Sequence, residues 1–349
     1  MISTPKFSII IPAWNAQKTL RRTLISVLQQ TCDDYEVIVV NDGSTDGTAA
    51  LLEEFSYQQN IHVISQPNGG VSAARNRALK QAQGDFILFL DADDWVDEHF
   101  LASFQQSLDN SHGRPVDLIV GNLVDDRIGS IRKYGYFAAQ EMPYLLGELE
   151  MSDNIGYLHN KCYSRRVIEV NNLHFLEGIS MSEDLLFNLK YFYNVSNCLV
   201  IDSTAYHYEN VMDSLSKKRV QYNELKERKQ FLTGLYDTIM NKYTHRDLDY
   251  FLKGVSKRVL ALDMQIVTSM YHDSFTHNEI SREINEIKRG KYSKGIFILL
   301  NRNEKLKYII MNFNSFAAYY CLYALYKARA FLWMYFIRYT RPDFTFLWL

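Results

Sequence analysis

Four short, mostly apolar runs fill the first hundred residues, each ending in a polar cluster: Phe7–Pro12, Tyr35–Val40, Ile61–Ile64 and Asp85–Leu90. Their near-continuous apolar character is the pattern of strands buried on both faces. Helix-period sequence separates them. Gln17–Gln30 places Leu20, Leu24, Val27 and Leu28 at helical spacing. Thr48–Phe55 reads as a second helix with Asp46 as its N-cap, and Val71–Ala82 as a third. Strands alternating with helices predict an α/β fold, a mostly parallel, Rossmann-like sheet flanked by helices. In such sheets ligands bind beyond the carboxyl ends of the strands. That edge receives Trp14 and Asn15, Asn41 and Asp42, Asn68 and Gly69, and Asp91–Asp94. One such cluster is ordinary turn chemistry, whereas four at one edge point to a ligand.

Residues 115–218 read as mixed, with strands at Val116–Val120 and Leu199–Ile201. From Val220 onward the pattern is helical, over Gln221–Tyr243, Asp247–Tyr271 and Asn278–Arg289. The expected division is a domain over 1–218, with a ligand-binding half at 1–110 and a second half at 111–218. A helical region over 219–349 follows. The 38 Lys and Arg against 40 Asp and Glu lack the surplus of a nucleic-acid binder, so no nucleic-acid partner is expected.

The last sixty residues differ. From 290 to 349, nine basic residues face two acidic ones, a net charge of +7, and 17 aromatics make up about twice the whole-chain share of 14%. Tyr and Trp favour the membrane interface, and Lys and Arg favour anionic head groups. The tail is therefore expected to lie as an interfacial helix on a membrane. A packed helical subdomain and a true span remain alternatives. Tyr308–Tyr326 carries no charge, but Asn312, Asn314 and Ser315 interrupt it. The cysteines Cys32, Cys162, Cys198 and Cys321 form no CxxC pair, and the first apolar run is too short for a signal peptide. The expected location is cytoplasmic, peripheral at the inner face of the cell membrane.

Three carboxylates within Asp91–Asp94 repel one another unless a cation or a set of donors compensates. Strand-like alternation puts Asp91 and Asp93 on one side, which suits Mg²⁺ or Mn²⁺ bridging carboxylates to phosphates. A helix-capping cluster is the alternative, and an EF-hand spacing is absent. Asn41–Gly47 offers backbone N–H groups and a carboxylate for a base or ribose, but it is neither a Walker loop nor a GxGxxG fingerprint. Arg75 can neutralise a diphosphate or sit in a surface ion pair, and the ion pair is the reading for Arg77. Glu183 and Asp184 open an apolar helix, either as dipole-stabilised caps or as a general base. His207 and Lys161 are each packed residues or site residues.

Together these segments resemble glycosyltransferase family 2. The resemblance runs through Ser8–Thr31, Glu36–Thr48, Asn68–Leu79 and Gly84–Trp95, and more weakly through 160–216. It implies a GT-A fold and an inverting transfer from a nucleotide-diphosphate sugar, a UDP-sugar foremost. Carried over by position, Pro12, Ala13, Trp14, Asn15 and Asp42 line the nucleoside pocket, Asp42 accepting from the base. Asp91 contacts ribose, Asp93 ligates Mn²⁺ or Mg²⁺ at the diphosphate, and Asp184 is the catalytic base with Glu183 beside it. Asn68, Gly69, Arg75 and Ala92 complete the donor-binding set, and His207 is a second candidate metal ligand. Trp14 stands where the family more often has Tyr. The implied partners are the donor and a glycan or lipid-linked acceptor of bacterial capsule, O-antigen or exopolysaccharide synthesis, with 111–218 forming the acceptor side. The competing reading is a non-catalytic nucleotide-sugar sensor, or a membrane-associated assembly protein, on the same fold.

Overall fold

The computed structural model describes residues 4–122, 130–178, 182–202, 205–208, 220–243 and 248–293. They fall into two compact units, one drawn from 1–212 and 234–251, the other from 213–233 and 252–349.

The first unit is built on an eight-stranded sheet. β1 (Phe7–Ala13) lies between β2 (Tyr35–Asp42) and β4 (Phe86–Phe89), with β3 (Ile61–Gln66) outside β2, all four parallel. Ile9 pairs with Val37 on one side and Leu88 on the other. β2 is buried along its whole length, which is why its sequence is apolar without alternation. The sheet continues through β8 (Lys161–Ser164), β6 (Leu118–Gly121), β9 (Cys198–Ile201) and β7 (Gly135–Phe137). β8 is antiparallel to both β4 and β6, β9 is parallel to β6, and β7 is antiparallel to β9. The sheet order reverses beside β1, and the loops that leave β1 and β4 flank that switch point, where α/β sheets hold ligands.

Helix α1 (Leu20–Leu28) packs Leu20, Leu24 and Val27 into a core with Phe7, Ile9, Val37 and Val39. It starts three residues later than its sequence period predicts. The Gln17 N–H donates to Asp46 (3.1 Å) and its side-chain oxygen accepts from Gly47 (3.0 Å), so this stretch ties two loops together instead. Asp46 also accepts from the backbone N–H and hydroxyl of Thr48, the first residue of α2 (Thr48–Glu53). Those bonds outweigh its desolvation and hold its carboxyl below the usual range.

The amino ends of the strands are stitched by Glu36, which is buried and accepts from the Ser8 hydroxyl and the Gln83 N–H, each at 2.6 Å. α3 (Val71–Leu79) follows β3, and α4 (Phe100–Asp109), α5 (Met142–Met151), α6 (Arg165–Val170) and α7 (Glu183–Asn194) complete the cover. A two-residue ribbon, β5 (Trp95–Val96) with β10 (Tyr206–His207), is too short to show a sequence period.

The helical reading of the later chain matches α8 (Tyr222–Lys242), α9 (Asp249–His272) and α10 (His277–Arg289). In the second unit, Lys226 on α8 pairs with Glu283 (2.7 Å), and Lys229 with the buried Asp263 of α9 (2.5 Å). Thr276 and Glu279 form a reciprocal capping box at the start of α10. Among the described residues no helix is long and apolar enough to cross a membrane. The basic, aromatic tail expected at the membrane lies, from 294 on, outside the described residues.

Candidate active site

The loops after β1 and β2 lock into each other at the carboxyl edge. The Asn15 N–H donates to the Ser44 hydroxyl (3.0 Å), and its side-chain oxygen accepts from the Thr45 N–H (2.8 Å). Asn15 has φ 50°, a left-handed conformation that Asn tolerates better than most residues. Ala13 is buried, Pro12 half-buried and Trp14 about half exposed.

Asp42 ends β2 with its carboxylate buried. It accepts from the N–H groups of Gly69 and Gly70 and from the Gln66 amide, each at 2.8 Å, while Asn68 bonds its carbonyl (3.0 Å). Asp42 therefore fixes the turn that opens α3, where the helix N-terminus favours an anion. A carboxylate offers about four lone-pair positions, so roughly one remains for a ligand donor. Gly43 (φ +67°) lets this turn close: a Cβ there would lie 2.6 Å from the Asn68 nitrogen.

Asp91–Asp94 forms a turn, with the Asp94 N–H bonded to the Asp91 carbonyl (3.1 Å), so the strand-like alternation expected there stops at β4. Helix α1 holds the carbonyls of this turn. The Thr23 hydroxyl donates to Ala92 (3.0 Å) and Asp94 (2.7 Å), and Arg22 donates to Asp93 (2.8 Å). The three carboxylates divide. Asp94 is fully buried and accepts from the Tyr206 hydroxyl. Asp91 pairs with Arg75 (3.0 Å). Asp93 is half-buried, as is Ala92. Two of the donors that the cluster requires are thus a tyrosine and an arginine.

Among the described residues no three His, Cys, Asp or Glu side chains cluster into a metal cage. A divalent ion that brings phosphate oxygens and water needs only one or two carboxylates, and Asp93 beside Asp91 offers that hard-oxygen chemistry. His207 stacks on Trp95 (3.7 Å between centroids, 4° between planes), and its Nε2 bonds Asp97 at 2.8 Å.

Arg75 gathers the rest of the site. One terminal nitrogen donates to Asp184 at the start of α7 (2.7 Å), the other to Asp91 at the end of β4 (3.0 Å), and Glu183 lies 3.8 Å away. Its side chain is 4% exposed, Asp184 30% and Glu183 16%, so the base candidate is partly open to solvent while the arginine is not. Burial works against the charge on Arg75, but Asp184, Asp91 and Glu183 more than offset it and raise its pKa. Burial pushes the Asp184 carboxyl up to about 7; Glu183 and Asp91 push the same way and Arg75 opposes them. Lys161 is fully buried and donates to the Asn154 carbonyl (2.8 Å), the Asn160 side chain (2.8 Å) and the Tyr157 carbonyl. It pins the loop before β8, and burial pushes its ammonium down to about 7.

Four contributors carry no local signal. Tyr206 reaches Asp94 across 112 positions, and Thr23 reaches the same turn across about 70. Asn76 exchanges two hydrogen bonds with the Phe175 backbone (2.8 and 2.9 Å), and Arg75 lies over the Phe175 ring (5.4 Å). The one available hint was two adjacent polar residues, Arg75 and Asn76, within an alanine-rich helix.

Known proteins resemble this chain in sequence and in fold. A family model described as Glycosyl transferase family 2 matches residues 8–167. The uncharacterized glycosyltransferase EpsJ of Bacillus subtilis is 31% identical over 267 residues, spanning 73% of this chain and 74% of its own. The poly(ribitol-phosphate) beta-N-acetylglucosaminyltransferase TarS of Staphylococcus aureus is 32% identical over 209 residues, 58% of this chain and 35% of its own. In structure, a TarS fragment in complex with UDP-GlcNAc superposes with a TM-score of 0.64 at 22% identity, covering 93% of this chain and 92% of that one. The mannosyltransferase PcManGT of Pyrobaculum calidifontis, in complex with GDP-Man and Mn²⁺, gives 0.53 at 13% identity, covering 89% and 88%. The structural likeness is one of fold, and the fold is GT-A. With EpsJ matched over about three quarters of both chains, this chain belongs to glycosyltransferase family 2.

Proposed function

We propose that the chain is an inverting hexosyl- or N-acetylhexosaminyltransferase. It moves the sugar of a nucleotide-diphosphate donor, a UDP-sugar foremost, to a hydroxyl of a glycan or lipid-linked acceptor in bacterial surface-polysaccharide synthesis. One observation carries the reading. Arg75 brings Asp184, from α7, to the same guanidinium as Asp91, at the end of β4. A carboxylate able to act as a base is thereby set beside the edge where the donor loops converge. The EpsJ and TarS matches support the pathway class, and the UDP-GlcNAc held by the TarS fragment supports a UDP-sugar.

In this reading the Asn15–Thr45 lock and Asp42 form the nucleoside end, with Trp14 offering a half-exposed indole. Asp93, with Asp91 adjacent, would hold Mn²⁺ or Mg²⁺, as PcManGT holds Mn²⁺. When bound, such an ion neutralises the charge that develops on the departing diphosphate. Asp184 takes the proton of the acceptor hydroxyl, a poor nucleophile until then, and Glu183 adds negative charge that raises its basicity. Attack in line with the leaving diphosphate inverts the anomeric centre, so an α-linked donor yields a β-linked product. The tail over 290–349, basic and aromatic by sequence, is the proposed contact with an anionic membrane that presents the acceptor.

The test is sugar release by the purified chain across UDP-, GDP- and dTDP-sugars, with Mn²⁺ or EDTA, beside Asp93→Ala and Asp184→Asn. The expected result is metal-dependent turnover of one donor, lost in Asp93→Ala, with Asp184→Asn binding that donor but turning it over at least ~100-fold more slowly. A chain that neither binds nor turns over any of these donors would sink the reading.

A further inference from the structure

Arg75 sits where a diphosphate ligand is expected from sequence, yet its surroundings suit a different task. Both terminal nitrogens are committed to carboxylates, Asp184 at 2.7 Å and Asp91 at 3.0 Å. The guanidinium lies over the Phe175 ring, its Nε is buried without a hydrogen-bond partner, and the side chain is 4% exposed. The next residue on α3, Asn76, fixes the backbone of Phe175 in both directions. The arginine is thus clamped from one face by an aromatic ring that its own helix holds in place.

Asp184 is the end of this chain of contacts. It stands two residues after Ser182, which has φ +68°, a left-handed conformation costly for a residue other than glycine. The turn that presents Asp184 is therefore held against its local preference, and the Arg75 pair spans the gap back to α3. One fork binding two carboxylates also fixes the distance between them, which an ammonium on a flexible stem does not do.

We propose that Arg75 is a positioning residue of the transfer reaction: it holds the base Asp184 in register with the donor-side carboxylate Asp91, and is not itself a ligand of the diphosphate. The proposal rests on the transferase reading above. Asp91, engaged by the donor, and Asp184, facing the acceptor, then share one rigid bridge, and the base is placed relative to the donor before the acceptor arrives.

The test uses the full chain with Arg75→Lys and Arg75→Met, reading UDP binding with Mn²⁺ by calorimetry, donor turnover from pH 5 to 9, and thermal melting. Both variants are expected to bind UDP within about threefold of the unaltered chain, while saturated turnover falls about 100-fold or more through lost orientation. Arg75→Lys keeps the charge and is expected to recover less than about a tenth of the activity. In Arg75→Met the rise of turnover with pH is expected at higher pH, because the cation that favours ionised Asp184 is gone. If Arg75→Met does not fold, Arg75→Lys carries the test. A loss of UDP affinity of about tenfold or more with saturated turnover intact would make Arg75 a diphosphate ligand and overturn the positioning role alone. An unaltered chain that binds UDP yet turns over no sugar donor, with or without acceptor, overturns the transferase reading and this proposal with it.

Discussion

At the scale of single residues, environment separates carboxylates that the sequence presents as equals. Asp94 is spent on structure, and Tyr206→Phe removes a buried hydrogen bond and leaves the Asp94 carboxyl without that donor. That change is expected to cost about 1.5–3 kcal/mol of unfolding free energy, measured by urea denaturation. Asp184 has the opposite character. The base proposed here works only when ionised, and burial pushes this carboxyl up to about 7, so kcat/KM for the donor should rise with pH through a midpoint near 7. A flat profile from pH 5 to 9 would remove Asp184 from that role. The sign for stability is reversed. A carboxyl whose folded pKa is raised favours the fold at acid pH and loses that contribution as pH climbs through about 7. Asp184→Asn should therefore lose this pH dependence of melting, yet melt lower than the unaltered chain at pH 8, because the buried Arg75 is left with one carboxylate fewer.

Helix α3 does at the scale of elements what none of its residues does alone. Asp42 caps its entry turn, Arg75 points to α7 and the end of β4, and Asn76 holds the segment that precedes α7. Asn76→Ala removes two hydrogen bonds to buried backbone and is expected to cost about 1–3 kcal/mol, while also lowering turnover because Phe175 shifts under Arg75. Packing overrides propensity in α5. Gly147 lies inside that helix, where Ala usually gains up to about 1 kcal/mol. A Cβ there would lie 2.5 Å from the Tyr250 ring and 2.9 Å from the Phe251 nitrogen. Gly147→Ala should therefore destabilise by about 1–3 kcal/mol, and a higher urea midpoint would contradict the packing argument.

For the whole molecule, charge is unevenly assigned, and the proposed division of labour follows from it. A net charge of −2 hides a +7 segment over 290–349. A chain ending at Arg289 is expected to keep metal-dependent donor turnover and to lose co-sedimentation with anionic liposomes at low salt, a binding that about 0.5 M salt should also abolish in the full chain. Equal sedimentation of the two chains would remove the membrane role from the tail.

The sheet was legible in the sequence because a strand covered on both faces must be apolar at every position, and β1, β2 and β4 write that requirement locally. The edge that carries the candidate site was legible too, since polar groups at four strand ends have one edge to share. The assignment of Asp91–Asp94 was half legible. Repulsion demanded compensating donors, but Tyr206 and Arg75 could not be named, because each comes from a different part of the chain. Arg75 read alone is a cation near a helix start; its partners lie 16 and 109 positions away. The two-residue ribbon β5–β10 has no period to read. Sequence determines what is local and periodic, namely burial pattern, turn chemistry and net charge. Which carboxylate is buried and which is paired with Arg75 was decided only by the tertiary structure, because desolvation and Coulomb interaction depend on distance in space and not on position along the chain.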